Sequence, residues 1–383
     1  MTLKATTPLD PPDFASLRRR LIFDFHKHDP QVGDTSVIAD FAVVMSPGDY
    51  DSLAKFAEAL AAETLAAEVE LSGRPDLLKR LGLPRRLRHA IRPIEHVGPR
   101  VMRFDFHPTR DGWRISEVNC DVPGGYIEAG PLCQLFATHF AEYTPPPAPA
   151  AALAAATPGD TVALPHATAY ADDAQVMHHL ADCFAAEGRT AIPCSPDQMP
   201  LADAVIRFYP AEWLPNLRGE LSGWFDSHHL NPATSLITQS KRLPLVWDEL
   251  SEPMQVWRTL LPPTRDPREG EKGWLLKPAL GRVGEGVVMP GDETKEGQQW
   301  ARRCRRWPGR WVAQQPFDST PIDTPRGPMH ACFGLFVING KAAGIYTRLS
   351  PRPPIAAEAL EVATLLDVRH PERKEPADAE SIH

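Results

Sequence analysis

Residues 103–130 read RFDFHPTRDGWRISEVNCDVPGGYIEAG and alternate in character twice. Arg103 and Asp105 fall on one side of the first run, Phe104 and Phe106 on the other. The chain turns through Pro108-Thr109-Arg110-Asp111-Gly112. A second alternating run follows, with Trp113, Ile115, Glu117 and Asn119 against Arg114, Ser116 and Val118. Two such runs around a Pro/Asp-Gly cluster predict a hairpin. With Asp111 near the turn centre, residue 105 faces 117 and 103 faces 119. Arg103, Asp105, Glu117 and Asn119 then share one face of the ribbon. Three oxygen-bearing groups and a guanidinium are costly in a core. They suit a hard cation holding a phosphate.

The 383 residues around this hairpin allow two or three domains, or one multi-lobed enzyme, at roughly 100–200 residues per domain. Hydrophobic residues at 43% and charged residues at 23% are an ordinary globular balance with ample core. The net charge of −8 disfavours nucleic acid as the main partner, and the densest basic cluster (Arg302, Arg303, Arg305, Arg306) reads as a solvated helix face. The six cysteines show no CxxC, so neither a zinc site nor a disulfide framework is indicated. The opening MTLKATTPLDPPDF has no apolar signal core, and no run approaches the ~18 apolar residues of a membrane span. A cytoplasmic protein with reduced thiols is expected.

N-terminal to the hairpin, residues 37–45 form a buried element. Ser46-Pro47 then caps a helix over 49–71, with short helices over 75–81 and 85–91. C-terminal to it, 127–143 reads as helical and 144–159 (TPPPAPAAALAAATPG) as a linker. Strands at 161–164, 190–193 and 204–208 around a helix over 171–187 predict a small parallel αβ unit. A helix is expected over 240–261 and another over 294–307, with a strand at 311–315. Residues 330–338 and 342–349 form a hairpin through Asn339-Gly340, a type I′ signal. The last thirty or so residues thin out into the charged tail PERKEPADAESIH, expected to fray.

Beyond the first hairpin, chemistry concentrates at LLKPALGRVGEGVV, residues 275–288. It lacks the GxxxxGK[ST] of a Walker loop. Gly281, Gly284 and Gly286 between apolar runs can instead fold over phosphates and offer backbone N–H groups. Lys277 just before them can neutralise phosphate, and Lys241 is a second candidate. Each also has a plain structural reading, a glycine-rich hairpin and a solvated lysine. The strand WVAQQPF (311–317) ends in Gln314 and Gln315, whose amides can read an adenine edge, or it is simply core. Arg348 closes GIYTRLS. The pairs His178-His179 and His228-His229 have no acidic partner at metal spacing and read as surface histidines.

Together, RFDF and DGWRISEVNCDVPGGYIEAG, DAVIRFYPAEWLPN, QSKRLPLVWDEL, LLKPALGRVGEGVV, WVAQQPF and VINGKAAGIYTRLSP resemble, in this order, the synthetase domain of glutathionylspermidine synthases. That domain is a circularly permuted member of the ATP-grasp superfamily. The resemblance covers most of 101–350, while 20–100 matches only in helical character.

It implies an α+β, ATP-grasp-like fold. Two sheet-containing lobes clasp ATP, beside a small αβ (pre-ATP-grasp-like) subdomain and a helical N-terminal region. The implied ranges are 1–100 for the helical region and 101–145 for the metal-binding hairpin and helix. They are 146–235 for the αβ subdomain and 236–383 for the lobe with flap and C-terminal hairpin.

The implied activity is ATP-dependent carboxylate–amine ligation through an acyl phosphate, with ATP and Mg²⁺ as cofactors. The partners are a small carboxylate (amino acid or peptide) and an amine, with homo-oligomerisation left open. By the same resemblance Asp105, Glu117 and Asn119 hold Mg²⁺. Arg103 steadies the transferring group, Lys241 and Lys277 contact phosphates, and Gly281, Gly284 and Gly286 form the flap. Gln314 and Gln315 border adenine, and Arg348 stabilises the acyl phosphate. The chain departs from the family where small hydroxyl residues follow the NxDTP turn: Asn119-Cys120-Asp121-Val122-Pro123 runs into Gly124-Gly125. Alternatives are a nucleotide-binding phosphotransferase or regulator of the same fold, or an interaction protein whose polar face is only structural.

Overall fold

The computed structural model describes residues 3–32, 35–226, 228–270, 272–282 and 284–369. Its strands are β1 (Leu3–Ala5), β2 (Gln31–Val32), β3 (Thr35–Ser36), β4 (Ile38–Met45), β5 (Val101–Thr109), β6 (Gly112–Asn119), β7 (Thr161–Pro165), β8 (Thr190–Cys194) and β9 (Ala204–Ile206). They continue with β10 (His229–Leu230), β11 (Thr264–Arg265), β12 (Leu275–Pro278), β13 (Trp311–Gln314), β14 (Ile322–Thr324), β15 (Gly327–Ile338), β16 (Lys341–Ser350) and β17 (Leu360–Leu366).

An eight-stranded sheet runs β1-β4-β17-β16-β15-β5-β6, with β14 on β15. The predicted hairpin is β5–β6, with Arg103 opposite Asn119 and Asp105 opposite Glu117. The route to that register differs from the expected one. The turn holds only Arg110 and Asp111, between paired Thr109 and Gly112, and this would leave Asp105 opposite Ser116. A β-bulge after Ile115 slips the register by one residue and brings Glu117 into line. The bulge thus places the polar set on one face.

The opposite face is apolar. Phe104, Phe106, Ile115, Phe333 and Leu335 join Leu53, Ala57, Leu60 and Ala67 of a helix spanning Pro47–Ser72 in the main core. Ser46 caps that helix as read from sequence, its hydroxyl accepting from the Asp49 N–H at 3.0 Å. The first hundred residues are not only helical, since β1 and β4 build into the central sheet.

The three expected strands of the αβ unit form, and β10 adds a fourth in the order β10-β9-β7-β8, all parallel, with a helix over Ala171–Ala186 packed on them. The stretch 144–159 is not a linker. Pro149–Ala156 is a helix whose Ala150, Leu153 and Ala154 are buried in a second core shared by Val162, Leu164, Phe184 and Phe336. Alanine is the best helix former and Pro149 sits in the first turn, where it costs nothing, so helix propensity outweighed the linker-like composition.

Residues 127–143 hold a shorter helical run ending at Ala137, with a wide π-turn over Glu128–Leu132 around Pro131. The expected helix over 240–261 is instead two 3₁₀ turns, Leu243–Leu245 and Trp247–Glu249, then a short helix Gln255–Leu260, because Pro244 and Pro253 break it. The C-terminal region does not simply thin out. Leu360–Leu366 is a strand inserted between β16 and β4, while the charged tail lies outside the described residues. The Asn339-Gly340 turn is confirmed, both residues having positive φ (48° and 78°).

Candidate active site

The polar face of β5 is built around one ion pair. Arg103 Nε donates to Asp105 Oδ1 at 2.8 Å and Nη2 to Oδ2 at 3.1 Å, a bidentate fork within one strand. Asp105 is 1% exposed. Arg348 Nη2 lies 3.7 Å from Asp105 Oδ2, and Asn119 Nδ2 donates to it at 3.4 Å. Both guanidiniums lie over the Tyr346 ring, at 5.1 and 5.6 Å from its centroid. Gly334, opposite Asp105 on β15, leaves the room: a Cβ there would come within 2.7 Å of Arg103 Cδ and 3.0 Å of Asp105 Oδ1.

Glu117, the second carboxylate, meets Lys241 at 2.8 Å. Lys241 also donates to the Gly281 carbonyl at 2.6 Å, which ties the hairpin to the glycine loop. Burial pushes the Glu117 carboxyl up, but Lys241, Lys277 and Arg348 together outweigh it and hold it at about 2. Lys277 on β12 donates to Gln314 Oε1 at 2.8 Å and to the Ser116 carbonyl at 3.2 Å. The bulged residue thus faces the lysine. Burial lowers the Lys277 ammonium to about 8. His107 bridges the Ala331 carbonyl and the Ser116 hydroxyl, and burial keeps its imidazole neutral at pH 7, near 4.

The glycine loop lies over this face. A Cβ at Gly286 would meet Pro278 Cγ at 2.8 Å, and its φ is +72°. Arg282, between the glycines, reaches across to Asp121 (3.0 Å) and Glu212 (2.8 Å).

Two cavities flank the ion pair. One of about 120 Å³ is walled by Leu275, Lys277, Met289, Phe317 and Ile355, with His107 and Cys332 on the sheet side. The other, about 830 Å³, opens between the hairpin, the loop, the αβ unit and β16–β17. Glu117, Gly284, Val287 and Arg348 line both, so the two spaces meet at the charged centre.

The structure therefore brings Arg103, Asp105, Glu117, Asn119, Lys241, Lys277, the three glycines and Arg348 together. The glutamines divide. Gln314 is buried in the three-stranded sheet, where it orients Lys277 and donates to Thr264 Oγ1 at 2.9 Å. Gln315 is exposed and leads into Pro316 and Phe317, which wall the smaller cavity. Sequence reading missed Arg282, although a lone arginine among flap glycines is a visible signal. It also missed Gly334, Lys27, Glu128 and Glu361, which meet only through long-range strand order.

Among the described residues no cluster of three or more His, Cys, Asp or Glu side chains is arranged to hold a metal. The donor chemistry nevertheless fits a hard cation shared with phosphates. Glu117 is ionised and open to both cavities, Asn119 offers an amide oxygen, and Mg²⁺ typically takes one or two carboxylates plus substrate oxygens. Asp105 would join by exchanging part of its fork with Arg103.

This is a mixed α+β architecture with a curled sheet. A similar solved structure is a glutathione synthetase-like effector from Globodera pallida in apoform, at 11% identity, covering 94% of this chain and 98% of that one with a TM-score of 0.56. At that identity the likeness concerns the fold. A putative gamma-glutamylcysteine synthetase from Methylobacillus flagellatus matches 76% of this chain and 85% of its own at 13% identity, with a TM-score of 0.41. No family profile and no curated sequence matches. Among the described residues no helix is long and apolar enough to cross a membrane.

Proposed function

We propose that the protein is an ATP-dependent carboxylate–amine ligase working through an acyl phosphate. One observation carries this reading: an apolar slot and a wide polar cleft meet at Glu117 and Arg348, between two lysines and a glycine loop. Adenine fits the slot, with Gln315 at its border, and Gln314 serves the site through Lys277. The phosphates run past Lys277 and Lys241 toward Arg348. The carboxylate enters from the cleft and attacks the γ-phosphorus. Arg103 and Arg348 neutralise the charge that develops, while the loop over Gly281, Gly284 and Gly286 excludes water. Mg²⁺ held by Glu117, Asn119 and Asp105 would screen the phosphate oxygens.

The amine then displaces phosphate. Formation of a glutathionylspermidine-like amide is the finer form of this reading, with an amino acid or peptide as carboxylate. In this division, 101–145 holds the metal, 236–383 the nucleotide, and 1–100 and 146–235 wall the substrate cleft. The fork between Arg103 and Asp105 favours one second reading, a phosphotransferase or regulator that binds nucleotide without ligating, because it occupies both Asp105 oxygens.

The test is ADP release and amide formation followed by mass spectrometry across panels of carboxylates and amines. The ligase reading requires that ADP release depend on Mg²⁺, a carboxylate and an amine together. Phosphate release with no amide from any pair would move the assignment to the second reading.

A further inference from the structure

The cleft has a second charged centre, at the end away from the lysines. Lys27 follows the helix Pro11–Phe25, and its side chain is 2% exposed. Its ammonium meets Asp29 Oδ1 at 2.7 Å and Glu361 Oε2 at 2.8 Å, and also pairs with Glu128. All four residues line the large cleft. Three carboxylates around one ammonium leave a net negative pocket. The nucleotide half of the site uses none of them.

Glu361 differs from the other two by its place in the sheet. It lies directly opposite Arg348 across β16–β17, so the two side chains stand on the same face as neighbours. On the ligase reading, Arg348 marks where the acyl phosphate forms. Tyr346 Oη donates to Glu361 Oε1 at 3.1 Å, so the carboxylate is fixed from two sides, by Tyr346 and Lys27. On β4 the residue opposite is apolar Ile38. The groups facing Glu361 are therefore Lys27, Asp29, Glu128, Tyr346 and Arg348.

We propose that the Glu361 carboxylate takes the proton from the incoming amine. This rests on the ligase reading and adds a base to it. The amine arrives as an ammonium drawn to the net negative pocket and gives one proton to Glu361. The freed nitrogen lone pair forms the C–N bond to the acyl carbon. The C–O bond to phosphate breaks, and the second N–H proton leaves with the phosphate. Burial, opposed by Lys27 and reinforced by Glu128 and Asp29, raises the Glu361 carboxyl to about 7, which suits a base working near neutrality. Lys27 is a positioning residue that holds Glu361 toward Arg348.

Hydroxylamine separates this step from the chemistry before it. It is largely unprotonated at neutral pH and captures an acyl phosphate as a hydroxamate without a base. The full chain is assayed with ATP, Mg²⁺, glutathione or a panel of amino acids as carboxylate, and either hydroxylamine or primary alkylamines. Glu361→Gln is expected to lower alkylamine turnover about 100-fold, to leave hydroxamate formation within about threefold, and to abolish the rise of the alkylamine rate through pH 7. Glu361→Asp recovers part of the turnover with a displaced pH limb. Equal loss of amide and hydroxamate, or unchanged alkylamine turnover, overturns the assignment. If Glu361→Gln does not fold, an unchanged pH limb in Glu361→Asp overturns it instead. No hydroxamate from the wild-type protein with any carboxylate overturns the ligase reading, and this step with it.

Discussion

Gly334 faces Asp105 across β15–β5, and its missing side chain is the space in which Arg103 folds back onto that carboxylate. A methyl there would meet the last methylene of Arg103, beside the guanidinium, at 2.7 Å and the carboxylate at 3.0 Å. Gly334→Ala is therefore expected to break the fork while leaving the apolar face of the sheet intact. Turnover should fall at least tenfold, with a Tm change of only a few degrees, since about 1 kcal/mol moves the Tm by roughly 2–4 °C at 150–250 residues and by less in a longer chain. Steady-state kinetics and calorimetry on one preparation separate the two effects.

Glu117→Gln keeps the shape of the side chain and removes its charge. Lys241 would then keep the Gly281 carbonyl and face an uncharged amide in place of the carboxylate. The expected result is a fall in ATP turnover of about 100-fold, the usual scale for losing one preorganised electrostatic group, and a raised Mg²⁺ requirement. A Mg²⁺ titration of ADP release reads both. Full turnover at the wild-type Mg²⁺ concentration would remove Glu117 from the metal role.

The pH dependence of ATP binding follows from Lys277. Its folded-state value is depressed to about 8 by burial, so the ammonium is present below pH 8 and lost above it. ATP binding should be strongest below that point and weaken by up to about tenfold per pH unit above it. Lys277→Met should weaken binding throughout and flatten the limb. The unliganded protein has the opposite sign. A lysine with a depressed folded value favours the folded state as pH rises from about 8 toward the ordinary lysine value of about 10.4. Calorimetric Kd and urea midpoints between pH 7 and 10 check the two directions.

Phe317 walls the smaller cavity, its ring centroid 5.3 Å from that of His107. Phe317→Ala should raise the Kd for ATP about tenfold, or 1.4 kcal/mol, through lost contact with the base. Inorganic triphosphate, which has no base, should bind the variant and wild type equally. Equal weakening of both ligands would place adenine elsewhere.

Lys27→Met leaves Asp29, Glu128 and Glu361 facing one another without their cation. Stranding buried charge typically costs about 3–5 kcal/mol. A urea unfolding midpoint lowered to match is expected at pH 7. The loss should shrink toward pH 5, below the raised value of about 7 at which Glu361 gives up its charge.

The sequence by itself determined the hairpin, the alternation that puts Arg103 with Asp105 and Glu117 with Asn119 on one side of their strands, the parallel αβ unit, and the Asn339-Gly340 turn. Each is a local signal, carried by period-two alternation or turn chemistry within a few residues. Where local signals conflicted, the stronger backbone preference prevailed. The alanine run at 149–156 became a helix, buried through Leu153 in the second core, and prolines dissolved the expected helix over 240–261. Only the tertiary structure decided that a bulge after Ile115 corrects the register and that Gln314 serves Lys277. It alone set Glu361 beside Arg348 with Lys27 behind it. Those relationships join residues as far apart as 27 and 361. Strand order, which no local pattern encodes, brings them together because burying one face of the central sheet fixes which strands must lie side by side.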